Sequence, residues 1–216
     1  MSAATARTRG ETAPTTAPGD RRAPTQRRSR ERVELVLDAA AELVVEQGVG
    51  GLSTRAIAAR AGVPVASIYQ YFTGRDAIVL ALVHRDTAEM DARVAEAVTG
   101  LQHPDVRSVV EATMRAFVSV YHQRPGFVVI WWRSRTNAAV KDFCREHNRR
   151  VAAMLHGFAV EAGLLRPDTP VRDVELAVEV GDRVFELAFE HDLHGEESLI
   201  ARGVDLVSGY LERFAV

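Results

Sequence analysis

The stretch from Leu52 to Asp76, LSTRAIAARAGVPVASIYQYFTGRD, restricts the fold of this 216-residue chain more than any other. Ile57, Ala58 and Ala61 recur at helical spacing, Gly62-Val63-Pro64 interrupts the pattern, and Ile68, Tyr71 and Phe72 resume it. The pattern predicts a short helix, a tight turn and a second short helix. Gly62 can take the left-handed conformation that ends a helix, Val63 is held extended by the proline after it, and Pro64 presets the start of the next helix. A helix-turn-helix of this size can lay its second helix in the major groove of DNA, where each base pair shows a distinct pattern of donors and acceptors.

Before this stretch, Val33, Val36, Leu37, Ala40, Leu43 and Val44 form a helical stripe over about residues 28 to 47, with Gly48 as its stop. Leu52, Ile57, Ala61, Val63, Ile68 and Phe72 complete a small three-helix core with that stripe.

The stretch closely resembles the DNA-binding signature of the TetR family of bacterial transcriptional regulators. Ser53 and Thr54 match where the first helix opens, Ile57-Ala58 and Ala61-Gly62-Val63 at its end, Ile68-Tyr69 and Tyr71-Phe72 in the second helix, and Arg75-Asp76 after it. Pro64 and Gly74 stand where the family often has capping side chains, and Arg75 replaces a usual lysine while keeping its charge. The resemblance implies that Val65, Ala66, Ser67, Tyr69, Gln70 and Tyr71 line the exposed side of the recognition helix, with Thr54 and Arg55 at the start of the helix before it. Ser67 and Gln70 can hydrogen-bond base edges, and Val65 and Ala66 can meet thymine methyls. Thr54, Tyr71 and Arg75 are expected on phosphates. Tyr69 has a competing role in packing against the next helix.

The charge distribution agrees with this reading better than the net charge of -2 does. Residues 1 to 32 carry eight Arg against Glu11, Asp20 and Glu31, whereas residues 86 to 216 carry 15 basic and 21 acidic groups. An attractive arm beside the helix-turn-helix and an acidic body held off the phosphates is the favourable arrangement. Residues 1 to 26, rich in Ala, Thr, Pro and Arg, read as a disordered tail, and Arg21, Arg22, Arg27, Arg28 and Arg30, at its end and just beyond it, can reach phosphates or the minor groove beside the recognition helix.

Beyond Asp76 the pattern stays helical. Helices are expected over about 75 to 101, 105 to 123, 136 to 162, 171 to 193 and 196 to 214, with a short apolar piece carrying Phe127, Ile130, Trp131 and Trp132. The fold expected is all-α, about nine helices: a tail (1-26), a helix-turn-helix domain (27-74), and a helical ligand-binding and dimerisation domain (75-216). In the family this last region encloses a small-molecule pocket. The inward stripes nominate Met114, Phe117, Tyr121, Trp131, Phe143, His147, Val151, Met154 and Phe185 for a small, largely apolar or aromatic effector. Tyr121 and His147 stand out because a polar tip inside an apolar stripe needs a partner.

The helix near 171 to 193 carries an apolar arc of roughly 220°, more than the about 100° that one domain needs. It and its successor are expected to pair with their copies in a homodimer, through Val184, Ala188, Val204, Val207 and Leu211. A two-fold dimer would read a near-palindromic double-stranded DNA operator with half-sites about 34 Å apart, or a multiple of that.

Enzyme chemistry finds little support. There is no Gly-rich phosphate loop, nucleophile elbow or HExxH, and the one cysteine, Cys144, cannot form an internal disulfide or a Cys-based zinc site. Glu190, His191 and His194 form a weak metal candidate at a helix end. No cofactor and no membrane segment are expected, and the chain reads as a cytoplasmic regulator. A repressor released by its effector is the leading expectation. The alternative is a DNA-binding regulator without a small ligand, controlled by a protein partner or by abundance.

Overall fold

A computed structural model describes residues 22-133 and 138-216; the tail arginine Arg21 and most of residues 1-26 lie outside this range. Among the described residues there are nine α-helices and no strand: α1 (Arg22–Gln47), α2 (Thr54–Ala61), α3 (Val65–Ile68), α4 (Arg75–Thr99), α5 (Val106–Gln123), α6 (Pro125–Arg133), α7 (Ala138–Glu161), α8 (Val171–Ala188) and α9 (Glu197–Leu211). Residues 22 to 26, expected in the tail, are helical and begin α1. The short apolar piece is α6. The helix expected to reach residue 193 stops at Ala188, because Phe189 leaves helical geometry and its ring is fully buried.

The chain divides into two compact units that part between Glu34 and Leu35. The described part of the first is the beginning of α1, where Arg27 and Glu31 pair at 3.4 Å across one helical turn. The second, Leu35–Val216, holds both the helix-turn-helix and the helical body.

Local chemistry sets the helix-turn-helix. The Ser53 hydroxyl caps α2 by accepting from the Ala56 amide at 3.1 Å. Gly62 sits at φ 65°, left-handed, and its neighbour Val63 donates to the Ala58 carbonyl at 3.0 Å. Pro64 and Gly74 precede α3 and α4 without side-chain caps. Val36, Leu37, Ala40, Leu43 and Val44 of α1 are buried, as are Leu52, Ile57, Ile68 and Phe72. This is the three-helix core read from the stripes.

In the body, α4 packs on α5, α7 on α8, α8 on α9, and α5 on α9. Val94 and Val98 of α4 meet Val109 and Ala116 of α5 in one apolar cluster, with Leu155 and Phe158 of α7 against it. A capping box starts α5: Asp105 accepts from the Ser108 amide at 2.7 Å, and the Asp105 amide donates to the Ser108 hydroxyl at 2.9 Å. The last residues fold back on the loop after α7. Arg166 donates to the Arg213 and Ala215 carbonyls, both at 3.1 Å, and Leu165 and Ala215 form an isolated antiparallel bridge. No helix among the described residues is long and apolar enough to cross a membrane.

Candidate functional site

Burying Ile57, Ile68 and Phe72 leaves Val65, Ala66, Tyr69, Gln70 and Tyr71 exposed along α3 and the turn after it. Ser67 departs from the expectation. Its residue is only 9 % exposed. It directly precedes Ile68 on a helix of four residues, and the packing that buries Ile68 takes Ser67 with it. Ser67 is therefore corrected from a base-reading position to an inward one. The Tyr69 hydroxyl lies 3.2 Å from Thr54 Oγ1, joining the end of α3 to the start of α2. Tyr69 thus combines an exposed ring with an anchored tip.

The cations around this surface differ in their engagements. Arg60 clamps α2 to α1, donating to Glu42 at 3.0 Å and to both oxygens of Glu46 at 2.9 and 2.7 Å. Its hydrogen bonds hold the Glu46 carboxyl below the usual range. Arg75 leans on Asp76 at 3.2 Å. Arg55 is exposed with no ion pair among the described residues, which makes it the readier partner for a phosphate.

The body contains an inner cavity of about 80 Å³ between α5, α7, α8 and α9, walled by Met114, Phe117, Val151 and Phe185 among others. Four of the nine residues nominated for an effector thus come together. Thr113 and Gly181, which were not nominated, also line it.

Residues 36–82 match the family described as "Bacterial regulatory proteins, tetR family", and residues 104–215 match "Tetracyclin repressor-like, C-terminal domain". The chain belongs to the TetR family. It is a TetR-family transcriptional regulator with a DNA-binding helix-turn-helix. A TetR-family transcriptional regulator from Streptomyces coelicolor is 31% identical with a TM-score of 0.70, the match covering 86% of this chain and 98% of that one. An uncharacterized HTH-type transcriptional regulator of Mycobacterium tuberculosis is 25% identical over 144 residues, 67% of this chain and 68% of that protein. FadR from Bacillus subtilis, solved in complex with stearoyl-CoA, shares the fold at 15% identity and a TM-score of 0.67, over 82% of this chain and 97% of its own.

Five residues nominated for an effector lie away from the inner cavity of this TetR-family protein. Tyr121 is buried among Phe127, Trp132, Phe185 and Phe189, where burial pushes its phenol well above its ordinary range. His147 finds its partner in Asp91, 2.8 Å from Nε2, while its ring stacks on Phe143, which meets His84 edge-on. Both belong to the interface of α4 and α7. Trp131 lines a separate, more polar cavity of about 140 Å³ and donates to Asp182 at 3.3 Å. Met154, at 39 % exposure, is on the outside.

The dimerisation set needs a similar correction. Ala188, Val204, Val207 and Leu211 are buried within this chain, and half-buried Val184 faces Gly203 of α9. The large apolar residues that α8 and α9 leave in solvent are Val171, Leu176, Leu187 and Leu206. His194 spends its carbonyl on the His122 ring at 2.8 Å and its amide on Asp192 at 2.9 Å. Among the described residues no group of three or more His, Cys, Asp and Glu could hold a metal ion.

Head and body of the TetR-family fold meet through charge. Arg85 of α4 donates to Asp38 of α1 at 2.7 Å, joining body to head, and to Asp86 at 3.0 Å; within the body Arg124, just before α6, donates to Glu89 at 2.9 Å. Asp86 is 1 % exposed, and burial raises its carboxyl pKa above the ordinary 3.8 against the pull of Arg85 and Arg124. The folded protein therefore holds this proton more tightly than the unfolded chain. Its contribution to stability is full in acid and is lost as pH rises through the raised value. The stability of the wild type relative to Asp86→Asn is expected to fall from pH 4 upward and to level off once the carboxyl is ionised in both states. Urea midpoints at pH 4, 5.5 and 7 measure this, and a wild-type stability that rises with pH relative to Asp86→Asn would refute it.

Proposed function

We propose that this regulator is a cytoplasmic repressor that binds a near-palindromic operator as a homodimer and is released by a small, largely apolar effector. The observation that carries the reading is the division of the helix-turn-helix into a buried side, Ile57, Ile68 and Phe72, and an outward side, Val65, Ala66, Tyr69, Gln70 and Tyr71. Gln70 can bond an adenine edge in two places, and the apolar residues suit thymine methyls. Thr54, Arg55, Tyr71 and Arg75 serve phosphates, which set register without reading sequence. Exposed Leu176, Leu187 and Leu206 supply the apolar surface for pairing α8 and α9 with their copies. Stearoyl-CoA bound to FadR, a protein of the same fold, supports effector control as the mode of regulation.

Fluorescence anisotropy with the protein's own upstream DNA, over a salt series and against a scrambled duplex, tests this. Selective binding with two chains per site is expected. Gln70→Ala should lose about 1–3 kcal/mol of discrimination at its base pair. Arg55→Ala should weaken both duplexes alike and flatten the salt slope by about 1. Equal binding to both duplexes that disappears with salt would leave only phosphate attraction and defeat the operator reading.

A further inference from the structure

The inner cavity has a particular chemistry. Its lining carries no charged side chain. The polar side chain among its lining residues is Thr113, 7 % exposed, whose Oγ1 has no hydrogen-bond partner; the surface it shows the cavity is apolar, and a change of its first side-chain torsion is needed to bring the hydroxyl to a ligand. A buried hydroxyl without a partner carries a desolvation cost that a ligand oxygen or donor can relieve. Gly181, on the facing helix α8, is buried, yet a β-carbon built there meets nothing within 4 Å. The space beside it is open toward the cavity.

We infer that this cavity takes a neutral, mainly hydrocarbon effector with one hydrogen-bonding oxygen, such as a ketone or alcohol, seated against Thr113. The inference rests on the reading of the protein as an effector-controlled regulator and specifies the class of effector. A carboxylate or phosphate inside this lining would be an unpaired buried charge, which the cavity has no cation to offset. Apolar cavities of about 150 Å³ accept benzene. At about 80 Å³ this one takes a six-membered ring only if its walls give way. Met114 is the soft wall, since an unbranched thioether side chain repacks readily. Behind it is α9: a β-carbon at Gly203 would lie 3.0 Å from Met114 Cε and 2.5 Å from Val184 Cγ1. A ligand that moves Met114 therefore presses on the junction of α8 and α9, the helices assigned to the dimer. That contact is the route by which an occupied cavity would act on these helices.

The test uses the full-length protein and three probes of one shape: cyclohexanone, its hydrocarbon counterpart methylenecyclohexane, and cyclohexanecarboxylate. Dissociation constants come from the rise of melting temperature with probe concentration. Cyclohexanone is expected to bind roughly fivefold tighter than methylenecyclohexane, the worth of one net hydrogen bond, and the carboxylate to give no shift. Thr113→Val, which keeps the shape and removes the unpaired hydroxyl, should fold normally and lose the ketone preference, binding the hydrocarbon more tightly because the ketone oxygen is then buried without a partner. Gly181→Leu should fold normally and bind neither, because its side chain fills the open space. Carboxylate binding equal to that of the ketone, a ketone preference that survives Thr113→Val, or undiminished binding to Gly181→Leu would each overturn the inference. Operator selectivity of the same proteins without probe is measured in parallel. Selectivity with no probe binding overturns the effector class and leaves the DNA reading standing. The expected probe ranking in a protein that does not select its operator supports the cavity chemistry while defeating the regulator reading.

Discussion

Tyr121→Ala is expected to lower unfolding stability by about 3–5 kcal/mol, the cost of truncating a large buried aromatic side chain. In a chain of this size that corresponds to a drop of roughly 6–20 °C in melting temperature. The magnitude follows from the position of Tyr121 at the meeting point of α5, α6 and α8. Its ring centroid lies 5.1 Å from Phe189, 5.4 Å from Phe185 and 5.9 Å from Phe127, and Trp132 meets it edge-on at 6.4 Å. Aromatic pairs at such spacings are worth about 0.5–1.5 kcal/mol each beyond the area they bury. Met154→Ala, on the exposed side of α7, is the matched control and should stay within about 0.5 kcal/mol of wild type. Urea denaturation of both variants separates the cases. A loss below about 1 kcal/mol for Tyr121→Ala would mean that the surrounding rings collapse into the space, contrary to the rigid cluster described.

Gly126→Val is expected to be destabilising for a different reason. A β-carbon at Gly126 would lie 3.0 Å from the carbonyl oxygen of Ala41, 3.2 Å from its α-carbon and 3.2 Å from its β-carbon. Two of these atoms belong to the backbone of α1, and a helix backbone cannot swing aside as a long side chain can. Overpacking of this kind costs about 1–3 kcal/mol. The variant should also lose operator affinity, because α1 braces the helix-turn-helix and would be displaced where the body touches it. Chemical denaturation and anisotropy on the same samples are the measurements. Full stability together with full affinity would show that α1 and α6 separate freely, and the close contact would then have no part in positioning the head.

How much of this could be read in the chain depended on the distance over which each feature is decided. The turn at Gly62-Val63-Pro64 is settled by the φ preferences of adjacent residues, and it was legible without any tertiary information. Inward stripes were legible too, as in Val36 to Val44 and in Met114 and Phe117. Periodicity says that a side chain points inward, but not whether it meets a ring or a void. Tyr121 and His147 pointed inward and found Phe189 and Asp91, whereas Thr113, four residues before Phe117 on the same stripe, faces the cavity. That spacing was the available signal, obscured because threonine is polar by type. Ser67 shows the same limit on a short helix, since each residue turns the side chain by 100° and only packing decides which side is outside. The apolar arc of α8 is wide, and periodicity alone does not divide it. Its division into own core and free surface waited on α9, which takes up Ala188 and Val184 and leaves Leu176 and Leu187 in solvent.

The strap between Arg166 and the carbonyls of Arg213 and Ala215 bears on the order in which the protein is completed during synthesis. The helix-turn-helix is built from contacts close in sequence, and its turn is specified by residue 72. The inner cavity takes walls from Val106 and from Leu211, and the strap closes beside it only when residue 215 arrives. Chains are made from the N-terminus and their domains fold as they emerge, and contacts of long sequence separation form slowly. On a translating ribosome, the helix-turn-helix therefore precedes the part that encloses the cavity. A chain released early would keep the first without the second.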